Sequence, residues 1–138
     1  MSGEFIDTNV LVYAHDRSAE DKHERAASLI TRIAEEGSGR LSVQVLQEFY
    51  WIVTRKVPKP LTHRAALNVL EDFATWPVFT PSIEHVIRAA ELGARHRLSF
   101  WDAMILCAAI ETEAGILWSE DLSPGRRFES VTVRNPFV

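Results

Sequence analysis

Short apolar segments alternate with longer amphipathic segments along the chain, and this alternation limits the folds that it can adopt. Candidate strands occupy residues 4–6, 40–42, 77–80, 116–118 and 131–133. Between them, apolar residues recur at the three- and four-residue spacing of one helix face, as Ala26, Ile30 and Ile33 do. The alternation predicts an α/β fold in which helices cover both faces of a small parallel sheet.

Capping residues and chain breakers set the bounds of the predicted helices. Helices are predicted over residues 20–36, 43–55, 62–75 and 103–113, with one more after Ser82. Gly37 and the proline at position 58 end the first two. Ser99 and Asp102 resemble a capping box ahead of the last helix, which Gly115 is predicted to end.

The composition is typical of a single soluble domain, so residues 1–138 are predicted to form one folding unit. The longest apolar run, residues 103–110, is far shorter than the roughly 20 residues that a membrane span needs. The one cysteine excludes an internal disulfide, and the N-terminus lacks the build of a signal peptide, so we expect a cytoplasmic protein. The formal charge of −4 argues weakly against non-specific coating of nucleic acid.

Two carboxylates come just after candidate strands. Asp7 directly follows Phe5-Ile6, and Asp121 follows the apolar residues 116–118 after two intervening positions. Each also has a purely structural interpretation, because Asp7 can cap the next helix and Asp121 can belong to the turn that follows it.

Two further carboxylates point inward from predicted helices. Glu48 lies three residues after Val45 and four before Ile52, within an apolar helix stripe. Asp102 opens an apolar face that Ile105 continues. A buried carboxylate is costly unless it is compensated, so Glu48 requires an internal salt bridge or a ligand. Asp102 is either the acidic member of the capping box or a functional group.

Taken together, the four acids predict one metal site. Ligands of open parallel sheets bind beyond the carboxyl ends of the strands, where all four side chains can meet. Neighbouring carboxylates repel one another unless a cation joins them, and oxygen ligands without Cys or His favour Mg²⁺ or Mn²⁺ over zinc. Such a site suits phosphodiester hydrolysis: one ion lowers the pKa of the attacking water, and a second, about 3.5–4 Å away, stabilises the leaving oxygen.

The segments around these acids resemble those of the PIN-domain ribonucleases, particularly the VapC-type toxins of bacterial and archaeal toxin–antitoxin systems. The matching segments are FIDTNVLVYA (5–14), SVQVLQEFY (42–50), LSFWDAMI (98–105) and ILWSEDL (116–122). They occur in the order of the family, and the resemblance covers nearly the whole chain. It implies a three-layer α/β/α domain with a roughly five-stranded parallel sheet flanked by helices.

The resemblance also implies a metal-dependent, largely single-strand-selective RNA endonuclease. In that family pattern, four positions hold the metals: Asp7, Glu48, Asp102 and Asp121. Four further positions support the site: Thr8 and Asn9 orient Asp7 or bound water, Ser119 supplies a small hydroxyl group, and Glu120 either adds charge at the rim or faces solvent. The implied partners are an RNA substrate (transfer RNA and ribosomal RNA both fit), a second copy in a homodimer, and a VapB-type antitoxin whose C-terminal segment covers the groove.

Other interpretations stay open on the sequence. The chain could be a PIN nuclease of RNA maturation or turnover outside a toxin pair, which a neighbouring antitoxin gene would distinguish. It could also be a catalytically inactive RNA- or protein-binding PIN module, although the presence of all four acids argues against that. A phosphoacceptor receiver domain fits poorly, because Arg134 stands after the last strand where such a domain needs a lysine.

Several other residues have competing interpretations. Basic clusters at 55–59, 95–97 and 126–127 either hold an RNA backbone or complement helix ends. Trp51, Trp101 and Trp118 are interpreted as core or dimer contacts rather than base-stacking platforms. Cys107 is predicted to be an inert core residue.

Overall fold

A six-stranded sheet forms the centre of the computed structural model, which describes residues 2–138. The strands are β1 (Gly3–Ile6), β2 (Gly39–Ser42), β3 (Val78–Phe79), β4 (Ala114–Trp118), β5 (Arg127–Phe128) and β6 (Val131–Arg134). Their order across the sheet is β3-β2-β1-β4-β6-β5. The first four and β6 run parallel, whereas β5 pairs antiparallel with β6. The predicted α/β fold is therefore confirmed, with one short antiparallel edge strand in addition to the five parallel strands.

Six α-helices flank this sheet within the described residues. They are α1 (Thr8–Tyr13), α2 (Asp21–Glu36), α3 (Val43–Val53), α4 (His63–Phe73), α5 (Ile83–His96) and α6 (Phe100–Glu111), with a 3₁₀ turn at Arg17–Ala19. Across residues 2–138, no helix is long and apolar enough to cross a membrane.

Helix α6 differs from its prediction at both ends. It begins at Phe100 because the Ser99 hydroxyl accepts a hydrogen bond from the Asp102 N–H at 3.1 Å, which places Asp102 in the first turn. Gly115 does not end the helix, as the sequence had suggested, but lies inside β4. The chain instead reverses at Glu113, whose φ of 58° is left-handed.

The parallel sheet is buried because helices cover it. All four residues of β1 are buried, and α6 is buried over seven consecutive residues from Ala103 to Ala109. Helix α6 packs against β2 and β4 and carries α5 on its other side. Cys107 is fully buried among these residues, as predicted.

A buried acid on β1 shows how this fold compensates a structural carboxylate. Glu4 accepts two hydrogen bonds from Arg32 at 2.8 and 3.1 Å, and one each from Ser38 (3.0 Å) and Trp118 (2.9 Å). The Arg32 hydrogen bonds hold the pKa of Glu4 below its usual range. Glu4 is thus a buried acid whose charge is compensated by an ion pair and by hydrogen bonds. The environments of the other buried acids can be compared with it.

Close packing at the start of β2 leads to a stability prediction. A Cβ on Gly39 would lie 2.2 Å from a ring carbon of Trp76, and that ring packs against Phe73 with centroids 5.0 Å apart. Because the ring has little room to move, we expect Gly39→Ala to lower the free energy of unfolding by about 1–3 kcal/mol, measured by urea denaturation.

Gly115→Ala in β4 is the matched control. Its Cβ would meet only the exposed Ser2, at 2.8 Å from the Ser2 Cβ, and because Ser2 precedes β1, a small shift of that residue relieves the contact. We expect a change of less than about 1 kcal/mol. Equal losses in both variants would contradict the importance of the Trp76 contact.

Candidate active site

The carboxyl ends of β1 and β4 place two of the predicted acids side by side. These strands are parallel neighbours, with Ile6 opposite Trp118. Asp7 leaves β1 with its N–H bonded to the Trp118 carbonyl at 3.0 Å, and Asp121 follows β4 by three residues. The sheet therefore fixes the backbone at Asp7 and places the loop that carries Asp121 next to it.

Asp7 is buried, and both of its carboxylate oxygens accept hydrogen bonds. Oδ1 accepts from the Thr8 N–H at 2.7 Å, so Asp7 caps α1. Oδ2 accepts from the buried Ser119 hydroxyl at 2.7 Å. The same Ser119 oxygen accepts from the Leu122 N–H at 3.1 Å, which ties the turn that carries Asp121 to Asp7. Capping is thus one role of Asp7, but it does not provide an opposite charge.

Glu48 is joined to Asp7 through Thr8. The Thr8 hydroxyl donates to Glu48 Oε1 at 2.5 Å, while the Thr8 N–H binds Asp7. Gln44 donates through Nε2 to Glu48 Oε2 at 3.2 Å and to the Trp101 carbonyl at 3.3 Å. One side chain of α3 therefore links the Glu48 carboxylate to the first turn of α6, where Asp102 lies.

Asn9 holds the Asp121 loop against α1. Its Nδ2 donates to Asp121 Oδ1 at 2.9 Å, and its Oδ1 accepts from the Glu120 N–H at 3.4 Å. Asp121 itself is exposed. The predicted supporting residues Thr8, Asn9 and Ser119 are therefore all in direct contact with the acids.

The charges of the four acids act on one another. Burial raises the pKa of Asp7 to about 6, and the negative charges of Asp121 and Glu48 add to this rise against the opposing hydrogen bonds. Partial burial likewise raises the pKa of Asp102, with Asp121 and Glu48 again contributing. The structure thus gathers all four side chains into one electrostatically coupled group, named here the four-acid cluster.

No basic side chain compensates this cluster within the described residues. The ion pairs of residues 2–138 leave out all four acids, so the internal salt bridge considered for Glu48 is absent there. Over the same residues, no group of three or more His, Cys, Asp and Glu side chains is arranged to hold a metal ion as it stands. The donor set nevertheless fits a hard divalent cation, because every donor is a carboxylate oxygen and a cation would relieve the mutual repulsion.

The side chain of Glu120 turns away from the four-acid cluster. Its carboxylate forms an ion pair with Lys22 and accepts from the Tyr13 hydroxyl at 3.2 Å. Only its backbone N–H supports the cluster, through Asn9. The ion pair replaces a free, solvent-facing carboxylate, and a contribution of Glu120 to the charge at the rim stays a prediction.

Gln44 is a supporting residue that the sequence analysis missed. It lies four residues before Glu48, so the two share one face of α3. That spacing was visible in the sequence, but its contact with the α6 backbone depends on the packing of two helices distant in the chain.

The tryptophans divide between surface and interior. Trp118 is partly buried and donates to Glu4, whereas Trp51 and Trp101 are exposed. A core role for these two residues is therefore excluded, whereas the dimer-contact alternative stays a prediction.

The basic clusters do not form ion pairs with the four acids. The Arg55 guanidinium lies 4.2 Å from the Trp51 ring centroid, and that of Arg126 lies 4.4 Å from the Phe128 ring centroid. Arg126 also donates to the His96 carbonyl at 3.4 Å. Contact of these groups with RNA stays a prediction.

Comparison with known families identifies the fold. The family model of the PIN domain matches residues 5–127, nearly the whole described chain. This chain belongs to the PIN-domain family. The four-acid cluster lies at the carboxyl edge of its PIN sheet. No curated protein sequence matches the chain.

Solved structures with the same fold come from toxin–antitoxin systems. The sarcin–ricin loop cleaving toxin VapC20 of Mycobacterium tuberculosis aligns with a TM-score of 0.69 at 20% identity, over 88% of this chain and 93% of that one. A toxin–antitoxin complex from Klebsiella pneumoniae aligns at 0.67 and 17%, over 97% and 98%. VapBC2 from Rickettsia felis, bound to promoter DNA, aligns at 0.64 and 18%, over 96% and 97%. At these identities, the similarity supports the PIN fold.

The raised pKa of Asp7 predicts a pH dependence of stability. The folded state binds this proton more tightly than the unfolded chain, whose pKa is near 3.8. The resulting stabilisation is therefore full below pH 3.8 and is lost as the pH rises through about 6. Asp7→Asn removes the charge at nearly constant volume. At about pH 7.5, we therefore expect the free energy of unfolding of Asp7→Asn to be higher than that of the natural chain, by up to about 3 kcal/mol.

Urea denaturation in EDTA at about pH 7.5 and about pH 4 measures this difference. At the lower pH, the two proteins should be nearly equal, because Asp7 is protonated in the folded state. An Asp7→Asn protein that is less stable at pH 7.5 but equal at pH 4 would show that the charged form of Asp7 stabilises the fold, contrary to this account.

Proposed function

We propose that this chain is a metal-dependent endoribonuclease that acts as the toxin of a VapBC-type toxin–antitoxin pair. The observation that carries the proposal is the four-acid cluster at the carboxyl edge of a PIN sheet, with two raised pKa values and no basic partner in residues 2–138. A divalent cation that binds such a group of carboxylates offsets their mutual repulsion and is placed to take part in catalysis.

Each residue of the cluster has a distinct task in this proposal. Mg²⁺ or Mn²⁺ is held by the four acids: Asp7, Glu48, Asp102 and Asp121. When bound, such an ion lowers the pKa of a water molecule and offsets charge on a phosphodiester. Ser119 and Thr8 fix the orientation of Asp7, and Asn9 keeps Asp121 beside it, so that the oxygens need little rearrangement.

The toxin assignment is supported by the matching segments and by the similar structures. Two of those structures are a toxin–antitoxin complex from Klebsiella pneumoniae and VapBC2 from Rickettsia felis, bound to promoter DNA. We therefore propose that a VapB-type antitoxin, whose C-terminal segment covers the groove, inhibits this chain. We also propose that the chain forms a homodimer and cleaves cellular RNA in the cytoplasm.

Metal-dependent cleavage of RNA tests the chemistry. We expect Mg²⁺ or Mn²⁺ to support cleavage and EDTA to abolish it, leaving 5′-phosphate and 3′-hydroxyl ends. Asp7→Asn and Asp102→Asn should each lower the cleavage rate by more than about 100-fold, because each removes a metal-binding charge while keeping the side-chain volume.

Asp72→Asn is the matched control, because it makes the same chemical change on α4, which contributes none of the four acids. It should cleave RNA at the natural rate. Full activity of both Asp7→Asn and Asp102→Asn would refute the site, and a cyclic 2′,3′-phosphate product would refute the metal-assisted hydrolysis.

The biological target can be found by mapping cleavage sites across total cellular RNA after induction. We expect a small set of cut sites, in transfer or ribosomal RNA, that disappear with Asp7→Asn. We expect a small gene beside the one for this chain to encode the antitoxin, and co-expression of that neighbouring protein should suppress the cut sites. Cut sites that persist with Asp7→Asn, or that the neighbouring protein leaves unchanged, would contradict the nuclease and the toxin pairing respectively.

A further inference from the structure

Two exposed aromatic side chains begin helix α6, immediately before Asp102. Phe100 and Trp101 form an edge-to-face pair with ring centroids 5.0 Å apart, and they are 37% and 64% exposed. The buried residues of α6 run from Ala103 to Ala109, so this pair lies outside the buried part of the helix and adds little to the core. A large indole left mostly in water, next to a predicted catalytic residue, calls for a role outside folding.

The backbone of this aromatic pair is fixed to the four-acid cluster. Gln44 Nε2 donates to the Trp101 carbonyl at 3.3 Å and to Glu48 Oε2 at 3.2 Å. Because one amide group bridges the two, the start of α6 keeps its position relative to Glu48.

A third exposed aromatic residue, Trp51, follows Glu48 on α3. Trp51 comes three residues later, which places it on the same helix face and about 4.5 Å further along the axis. It is 52% exposed, and the Arg55 guanidinium lies 4.2 Å from its ring centroid. The order along this face is therefore Gln44 in contact with Trp101, then Glu48, then Trp51 with Arg55.

We propose that Trp101 and Trp51 stack unpaired bases of a single-stranded RNA on the two sides of Glu48, with Arg55 beside the RNA backbone. This inference rests on the proposed nuclease function and defines how its substrate is held. Aromatic rings and arginine planes are the groups on which proteins stack single-stranded bases. Bases in a duplex have no free face to offer, so the same surface selects against paired RNA.

The charge of the acids argues against a protein interface on this face, whereas RNA can occupy it when a bound cation offsets that charge. The centre of a protein interface is depleted of charged residues, whereas here Glu48 lies on α3 between Trp51 and Gln44, the residue that contacts the Trp101 carbonyl. The adjacent apolar groove between α3 and α4, of about 620 Å³, fits a protein segment better than the tryptophan face does. Leu46, Tyr50 and Leu70 line this groove together with Trp51. Occupation of the tryptophan face by such a segment, or by a second copy, is the competing outcome of the test.

The test measures binding of a fluorescently labelled single-stranded phosphorothioate RNA of twelve nucleotides in Mg²⁺, so that cleavage is slowed while the cation offsets the charge of the four acids. Trp101→Ala and Trp51→Ala should each weaken binding by about 5- to 150-fold, the range for loss of one stacked base. Trp101→Phe and Trp51→Phe should retain most of the affinity, because phenylalanine also stacks. The dependence of binding on salt should be unchanged, because no charge is removed.

Ile83→Ala is the control, because it truncates a 70% exposed apolar side chain on α5, which contributes none of the four acids. It should bind RNA as the natural chain does. A duplex of the same sequence should bind more weakly to the natural chain and be insensitive to both tryptophan changes.

Three results would overturn the inference. Unchanged RNA affinity in both alanine variants would exclude stacking, and Mg²⁺-dependent cleavage by the same proteins would show that the nuclease proposal survives. Unchanged RNA affinity with an altered association state, measured by light scattering, would assign the face to a protein interface. A natural chain that neither binds nor cleaves RNA would refute both proposals.

Discussion

The burial of the Asp7 carboxylate is the constraint on which the rest of the site depends. Asp7 lies where β1 becomes α1, so the same residue ends the central strand, caps the helix and takes the Ser119 hydroxyl from beyond β4. These contacts satisfy its oxygens but leave its charge uncompensated, which is why its pKa rises to about 6. A purely structural acid needs no such arrangement, as a neutral asparagine would cap the helix equally well.

Glu4, three residues earlier and within β1, shows the alternative. There the fold places Arg32 directly against the carboxylate, and the pKa of Glu4 falls. Two buried acids that are three residues apart in the sequence therefore have opposite electrostatic environments. The difference supports the proposal that the four-acid cluster binds a cation, whereas Glu4 serves stability.

Local signals made much of the fold predictable, and contacts between distant segments account for what was missed. Periodicity and caps indicated the parallel strands and the helices, and the strand ends indicated Asp7 and Asp121. The two-residue β5 carries no periodicity, because it exists only through its pairing with β6. The contact of Gln44 with the α6 backbone, the ion pair of Glu120 with Lys22, and the exposure of Trp51 and Trp101 all depend on how helices and loops pack together.

The central claim is that the four-acid cluster binds a divalent metal ion, and anomalous diffraction from crystals grown with Mn²⁺ tests it most directly. The account predicts a manganese peak bonded to Asp7 and to at least one of Glu48, Asp102 and Asp121, and no such peak in Asp7→Asn crystals. Manganese bound only elsewhere on the surface, or an identical peak in the Asp7→Asn protein, would contradict it.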